Sequence, residues 1–195
     1  VLGAYSLPNN TTGGYSVAIG GNAAFFNTTG QYLVAIGHEA LRSNTTASSG
    51  VAVGRYALYS NTTGGDNTAL GFNTLQQNST GGSNVGIGTY ALDGNTTGGS
   101  NVAVGKHSLG ANTTAGNNTA VGTQAYFTNT TGTGGVAIGY NSLYSNTTGD
   151  YNVAVGQSAL NLNTTGTQNI GVGVNAGLSI TTGSFNTAVG ANTIR

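Results

Sequence analysis

The sequence predicts an all-β fold, a parallel β-solenoid or β-roll with 17 residues per coil and about eleven coils. Three observations predict this fold. A glycine recurs at every seventeenth position from Gly3 to Gly190 without an insertion or deletion. The three residues before each glycine form a short run with the alternation of a strand, and no segment has helical spacing. Such a strict period is typical of stacked coils, because each coil must fit identically on its neighbour.

The strand is the first element of the repeat, which we number so that the fixed glycine is position 4. Position 3 is always a large aliphatic residue, position 1 is Val, Ile or Thr, and position 2 is Ala or Gly everywhere except Val1. Because side chains alternate across a strand, positions 1 and 3 share one face. We expect that face to point into the core, with Ile36 and Val53 buried. We then expect the opposite stripe at position 2 to lie at or near a chain interface; it includes Ala52, Ala103, Ala137 and Ala154.

The second half of the repeat has a leucine, an asparagine and a turn. Position 8 is usually Leu, and Asn fills position 11 in ten of eleven repeats, followed by Thr-Thr-Gly. Stacked asparagines form amide ladders, and Thr followed by Gly is typical of turns. We expect position 11 to point inward and Leu58 and Leu92 to be buried. Charged residues occupy only positions 5, 6, 9, 15 and 16, so Arg55, Lys106 and Asp150 should be exposed.

Composition narrows the classes of function. Charged residues make up 4% of the chain and the formal net charge is zero, which argues against nucleic-acid binding. No apolar run approaches the length that a membrane-spanning helix needs, so membrane insertion is not expected. The period covers residues 1–195, so we expect a single domain. Both ends fall inside a repeat, which predicts a segment of a longer fibre protein.

No catalytic constellation accompanies the repeat. His38-Glu39 and Lys106-His107 occupy equivalent positions, but four coils separate them by about 19 Å. The four carboxylates are too scattered for a glycosidase pair. We therefore expect a protein that is not an enzyme and that holds no metal and no cofactor. Asn-Thr-Thr also matches the N-glycosylation pattern nine times, which we interpret as structural.

Aromatic residues at the variable positions are the candidate ligand-binding residues. Exposed rings can stack on sugars, which would suit a reader of host glycans. The alternative is that these rings contact neighbouring chains or adjacent coils. The candidates form two groups along the chain: Tyr56, Tyr59, Phe72 and Tyr90, and then Phe127, Tyr140 and Tyr144.

The strand motif from Asn152 to Ala159 resembles the head repeat of trimeric autotransporter adhesins. The longer unit from Asn152 to Gly166 is similar to repeats in tail-fibre-like proteins of phages and bacteria. Because only in-register stacking matches the strict period, we expect a parallel oligomer. The resemblance implies that it is a homotrimer outside the cell, on a cell surface or in a virion fibre. It implies a structural and adhesive shaft or head segment. The candidate partners are other copies of this chain and, from the aromatic residues, a cell-surface glycan.

Two other functions stay open. The first is an ice-binding solenoid that uses a threonine ladder at position 13. Adjacent threonines of a strand point to opposite faces, which argues against it. The second is a subunit of a self-assembling extracellular filament. The ladder consists of Thr12, Thr29, Thr46, Thr63, Thr80, Thr97, Thr114, Thr131, Thr148, Thr165 and Thr182.

Overall fold

A computed structural model describes residues 2–194 as one parallel β-solenoid. Its sheet contains eleven three-residue strands in sequence order, one for each 17-residue coil. The all-β solenoid and its coil length are therefore confirmed. The strands are β1 (Val17–Ile19), β2 (Val34–Ile36), β3 (Val51–Val53), β4 (Thr68–Leu70), β5 (Val85–Ile87), β6 (Val102–Val104), β7 (Thr119–Val121), β8 (Val136–Ile138), β9 (Val153–Val155), β10 (Ile170–Val172) and β11 (Thr187–Val189).

The strands stack with each repeat position on its own equivalent. Ala103 of β6 pairs with Ala120 of β7, for example, and every other strand pair has the same register, shifted by one repeat. A bridge between Leu2 and Ile19 extends the stack at the first coil. Parallel strands need a long connection between them. Here, the rest of the coil makes that connection.

The residue that follows each strand, at position 4, must be glycine for two reasons. Gly105 has a φ of +131°, which side-chain-bearing residues rarely adopt. A Cβ on Gly105 would also lie 2.6 Å from the carbonyl carbon of Gly122 in the next coil. Backbone therefore stacks directly on backbone at position 4, and no other residue fits.

Three further corners turn each coil, at positions 6, 8 and 16. Residues other than glycine hold left-handed backbone there, such as Tyr90 with a φ of 59° and Leu92 with a φ of 53°. This conformation costs roughly 1–2 kcal/mol per residue. Hydrogen bonds between coils offset the cost: Tyr90 N–H donates to Phe72 O and Leu92 N–H donates to Ser108 O, each at 3.0 Å. The corners are thus stabilised by stacking.

The core shows that the predicted direction of the strand side chains was wrong. Leu58 and Leu92 are fully buried, as expected. The alanines at position 2, however, are also fully buried inside the chain. They are Ala52, Ala103, Ala137 and Ala154, and they cannot form a chain interface. Ile36 and Val53 lie on the outer face and are only partly buried.

The reason for this reversal is the narrowness of the coil. The leucines at position 8 fill the interior, and little more than a methyl group fits opposite them. At Gly171, which replaces the usual alanine, an added Cβ would come 2.8 Å from Cγ of Leu160. The large aliphatic residues at positions 1 and 3 must therefore point outward.

Buried asparagines form two ladders instead of the single ladder predicted. At position 11, Nδ2 of Asn95 donates to Oδ1 of Asn78 at 2.7 Å and to Gly98 O at 2.9 Å. At position 17, Nδ2 of Asn84 also donates to Gly98 O, at 2.9 Å, and its Oδ1 accepts from the backbone N–H of Asn101. Both ladders hydrogen-bond each coil to the next. The inward direction of position 11 is confirmed, and so is the burial of the Asn-Thr-Thr asparagines from the second repeat onward.

In one coil, a larger side chain at position 8 is accommodated by a smaller residue at position 17. Tyr126 replaces the usual leucine at position 8 and is fully buried. Its ring occupies the space beside Gly135, which replaces the usual asparagine at position 17; an added Cβ there would lie 2.6 Å from the tyrosine Oη. The hydroxyl donates to Gly149 O at 3.2 Å and accepts from Nδ2 of Asn146 at 3.3 Å. Burial raises the pKa of Tyr126 well above its usual value, so the phenol stays neutral.

Candidate functional site

Three exterior surfaces are the candidates for function. Among residues 2–194 there is no pocket, and no group of three or more His, Cys, Asp or Glu could hold a metal ion. The surfaces are a strand face, an aromatic ribbon and a threonine row. Each follows the long axis of the solenoid because each arises from repeat positions that stack.

The strand face consists of the outward side chains at positions 1 and 3 of β1–β11. All but three are aliphatic and none is charged; the exceptions are Thr68, Thr119 and Thr187. Leu70 is 46% exposed and Ile138 is 40% exposed. At about 4.8 Å per strand, the face is roughly 50 Å long and about 10 Å wide. Continuous apolar surfaces of this size, roughly 500 Å², commonly mark interaction sites.

Two rims border the strand face. The first rim is position 16, just before each strand, and the second rim is position 5, just after the fixed glycine. Side chains along both rims are largely exposed. The first rim contains Tyr15, Tyr32, Ser49, Asp66, Ser83, Ser100, Asn117, Gly134, Tyr151, Gln168 and Phe185. The second contains Gly21, His38, Arg55, Phe72, Thr89, Lys106, Thr123, Tyr140, Gln157, Val174 and Ala191.

The aromatic ribbon consists of the rings of Tyr56, Tyr59, Phe72, Tyr90, His107, Phe127 and Tyr144. Its last five rings form one unbroken series of contacts. Tyr90 stacks on His107 with ring centroids 4.9 Å apart. His107 in turn meets the edge of Phe127 at 5.8 Å, and Phe127 stacks on Tyr144 at 5.5 Å. His107 therefore links the two groups that the sequence left separate. Its place at position 6, one coil after Tyr90, is the signal that could have found it.

The first aromatic group makes the same kind of contact. Phe72 meets Tyr90 edge to face at 5.4 Å, and Tyr56 meets Tyr59 at 5.5 Å. Because neighbouring rings and Arg55 cover much of these rings, the geometry favours contact between adjacent coils. The glycan site stays a prediction.

Tyr140 is the candidate that lies apart from the ribbon. It belongs to the second rim and is 51% exposed. Phe72 is on the same rim and is 36% exposed. These two rings keep the most accessible surface among the predicted residues.

Two arginines contact the aromatic rings at the start of the ribbon. The guanidinium of Arg42 lies 5.1 Å from the ring centre of Phe26 and 5.5 Å from that of Tyr59. Its Nε is 3.8 Å from Oε1 of Glu39, which is the one ion pair within residues 2–194. Arg55 lies 4.5 Å from the ring centre of Tyr56. Cation–π contacts of this kind contribute roughly 0.5–1 kcal/mol at exposed sites.

Asp93 is the one carboxyl group in the ribbon with a perturbed pKa. Partial burial raises its pKa, and the nearby His107 lowers it by a smaller amount.

Among the three charges predicted to be exposed, Arg55 and Lys106 are exposed. Asp150 is partly buried, and its Oδ1 accepts a hydrogen bond from Thr133 N–H at 2.7 Å.

The threonine row consists of the threonines at position 13, which are all exposed. The hydroxyl groups of the preceding threonines, at position 12, are used between coils: Thr96 Oγ1 donates to Thr113 O at 3.0 Å. No threonine hydroxyl at position 13 donates to another residue within the described chain. The row therefore presents hydroxyl groups to solvent at a regular spacing.

None of the described residues forms a helix long and apolar enough to cross a membrane. Comparisons of the chain with protein-family models, with curated proteins and with solved structures gave no match. The exterior surfaces are therefore the features from which a function can be inferred.

Proposed function

We propose that this chain is a non-enzymatic structural segment, a shaft or head, of a homotrimeric fibre outside the cell, on a cell surface or in a virion. The observation that carries the proposal is the strand face, which is uncharged, continuous over eleven strands and aliphatic at all but three of its positions. Burying such a face against another copy gains about 25 cal/mol per Å² of apolar surface.

A second copy of the same chain suits this face better than an unrelated partner. The face repeats every coil with one register, and an identical chain has the same period along its whole length. Flat rows of β-branched side chains can then meet at every level. We therefore propose that the chain interface lies at positions 1 and 3 and not at position 2, where the sequence predicted it.

Adhesion would come from the exterior that the trimer leaves open. Most rings of the aromatic ribbon lie at positions 6 and 9, beyond the second rim, and glycan binding by their accessible parts and by Tyr140 is part of the proposal. The fibre itself would supply spacing and rigidity, since stacked hydrogen bonds continue through every coil.

Light scattering on the purified chain tests the proposal, with Val104→Asp as the disrupting variant and Thr97→Asp as its matched control. Val104 lies on the strand face, whereas Thr97 lies in the threonine row. We expect the parent chain and the control to be trimers and Val104→Asp to be a monomer with β-rich circular dichroism. A monomeric parent chain would contradict the proposal.

Ice binding is the second candidate, because the threonine row presents eleven exposed hydroxyls without partners in the described chain. A monomeric parent chain that shows thermal hysteresis, reduced by Thr97→Tyr, would favour it. Open-ended growth with concentration would instead favour the filament subunit.

A further inference from the structure

We infer that the second rim binds a linear polysaccharide that carries carboxylate groups, with Arg55 and Phe72 at the centre of the site. This inference rests on the glycan binding proposed above. It adds the class of sugar and the rim residues that would recognise it.

Most polar side chains of the second rim are free to bind a ligand. Arg55 is the one residue of this rim whose side chain makes a hydrogen bond within the described chain. Thr89, Lys106, Thr123 and Gln157 also carry side-chain donors, and none of these donors has a partner in the described chain. The threonines at position 12, in contrast, use their hydroxyl groups between coils. A row of unused donors favours a ligand that is rich in oxygen acceptors.

The guanidinium of Arg55 is held in place by two aromatic rings. Its Cζ lies 4.5 Å from the ring centre of Tyr56 and 6.0 Å from that of Phe72. Its Nη2 donates to the hydroxyl of Tyr56 at 3.0 Å, and no carboxylate of the described chain forms an ion pair with it. Because a guanidinium has several N–H donors, the edge that Tyr56 leaves free can take a carboxylate in a bidentate pair. A group positioned in this way loses little conformational entropy when a ligand binds.

Phe72 places an apolar ring beside this cation. It is in the next coil, on the same rim, and is 36% exposed. The C–H groups on the face of a pyranose can pack on such a ring, and a uronate carries its carboxylate on the same pyranose. One uronate unit can therefore contact Phe72 with its ring and Arg55 with its carboxylate. This combination of ring and cation favours an acidic sugar over a neutral one.

The rim extends the site along the axis of the solenoid. Lys106 lies three coils after Arg55, about 14 Å away at about 4.8 Å per coil. Thr89 lies between the two cations, and Thr123 and Tyr140 follow Lys106. Because the coils stack in register, these side chains follow one line. An extended polymer can contact all of them at once, and linked contacts of this kind add affinity that a single sugar unit does not have.

The carboxylates of the chain itself lie away from this rim, which has no Asp or Glu. Asp66 is on the first rim and Asp150 is beside that rim at position 15, so a strand separates both from the second rim. Glu39 pairs with Arg42 at 3.8 Å, and Asp93 is at position 9. The positive charges of the second rim are therefore available for an anionic ligand.

Other polyanions fit the rim less well. A nucleic acid or an acidic polypeptide would depend on the cations, and the rim has Arg55, Lys106 and one histidine, His38. Binding of nucleic acids depends on many neutralised phosphates. The rings and hydroxyl groups between and beyond the cations match a sugar chain instead.

The site is compatible with self-association through the strand face. The guanidinium of Arg55 contacts Tyr56, at position 6, which is farther along the coil from the strand. Arg55 therefore leans away from the strand face, toward the exterior that the proposed trimer leaves open. The two surfaces can be occupied at the same time.

Binding of uronate polymers tests the inference. The probes are fluorescently labelled fragments of polygalacturonate and of alginate, two linear uronate polymers, and fluorescence anisotropy at low ionic strength measures their dissociation constants. The methyl esters of the same fragments are the neutral control, and polyglutamate is the control for charge without sugar rings. Light scattering on each sample records the oligomeric state, and circular dichroism confirms the fold of each variant.

Three variants and a matched control test the named residues. Arg55→Gln removes the bidentate donor, and Phe72→Ser removes the ring. Lys106→Gln removes a cation whose side chain makes no hydrogen bond or ion pair in the described chain, so we expect it to leave the fold intact. Thr97→Asp, in the threonine row, lowers the net charge by the same amount as the loss of one cation. We expect the dissociation constant to rise about tenfold for Arg55→Gln, severalfold for Phe72→Ser and Lys106→Gln, and less than about twofold for Thr97→Asp.

The parent chain should bind at least one uronate polymer, and should bind its methyl ester and polyglutamate at least about tenfold more weakly. Equal binding of the ester or of polyglutamate would overturn the assigned class of ligand, and equal losses from Arg55→Gln and Thr97→Asp would overturn the site. A trimer that binds neither uronate polymer would overturn the inference and leave the homotrimer intact. A monomer that binds one of them would overturn the homotrimer and leave the site intact, and a monomer that binds neither would overturn both.

Discussion

Removal of one buried amide from the position 11 ladder gives the sharpest test of the core. Asn95 is fully buried, and Nδ2 donates to Oδ1 of Asn78 at 2.7 Å and to Gly98 O at 2.9 Å. Its Oδ1 accepts from Nδ2 of Asn112 at 2.7 Å. Asn95→Ala deletes all three hydrogen bonds and leaves a space between two coils.

The size of the loss follows from which groups stay paired. Gly98 O still accepts from Asn84, and Asn112 still donates to a backbone carbonyl. Oδ1 of Asn78 loses the partner that it has in the structure. An orphaned buried acceptor costs about 1–3 kcal/mol, and the other two bonds are worth about 0.5–1.5 kcal/mol each. We expect Asn95→Ala to lower the free energy of unfolding by about 3 kcal/mol.

Urea unfolding at one fixed protein concentration, followed by circular dichroism, measures this loss. The matched control is Thr97→Ala, two residues away in the same turn, whose side chain is exposed. The control should change the free energy of unfolding by less than about 0.5 kcal/mol. Equal losses from the two variants would refute the claim that the buried amides hold the coils together.

Three further changes test other parts of the structure. Tyr126→Leu should destabilise the chain by leaving a cavity, and Gly135→Asn should destabilise it by a clash with the tyrosine ring. In a double-mutant cycle, the double variant should be at least about 1 kcal/mol more stable than the sum of the two losses predicts. Strict additivity would contradict the packing. Asp93 has a raised pKa when folded, so the folded state binds more protons between its unfolded value of 3.8 and that raised value. Stability attributable to Asp93 therefore falls as pH rises through this interval, and Asp93→Asn should raise the melting temperature at pH 7; a lower one would contradict the burial penalty. Ala137→Lys should unfold the chain while Tyr140→Lys leaves it folded, as judged by circular dichroism; a folded Ala137→Lys would contradict the assigned core.

The sequence predicted the features that follow from periodicity alone. Glycine at every seventeenth residue required stacked coils, and the structure has them. The inward leucines and the position 11 asparagines were also predicted, because charged residues never occur there. Position 17 was not identified as a core position, and the left-handed corners were not predicted. Leu92 and Tyr90 have no intrinsic preference for left-handed backbone, so stacking alone explains their conformation.

The direction of the strand was wrong because residue size was interpreted without the width of the coil. Large aliphatic residues usually mark the core. In a coil this narrow, one leucine fills the interior and the opposite position tolerates only a methyl group or less. Position 2 is restricted to Ala and Gly because the site is tightly packed, and one additional methylene group there would destabilise the core. Positions 1 and 3 vary in size, as an outer surface can.

Paired exceptions in the repeat could have located the second asparagine ladder from sequence alone. Ala24 replaces leucine at position 8, and the same repeat has Leu33 at position 17. Tyr126 is larger than leucine, and its repeat has Gly135 at position 17. In these two repeats a small residue at one position accompanies a larger one at the other, as expected where two side chains share a closed volume. Position 17 must therefore point inward, beside position 8, and the strand that follows it must present position 2 to the same core. Because side chains alternate along a strand, positions 1 and 3 then lie outside and form the surface through which we propose that the chains assemble.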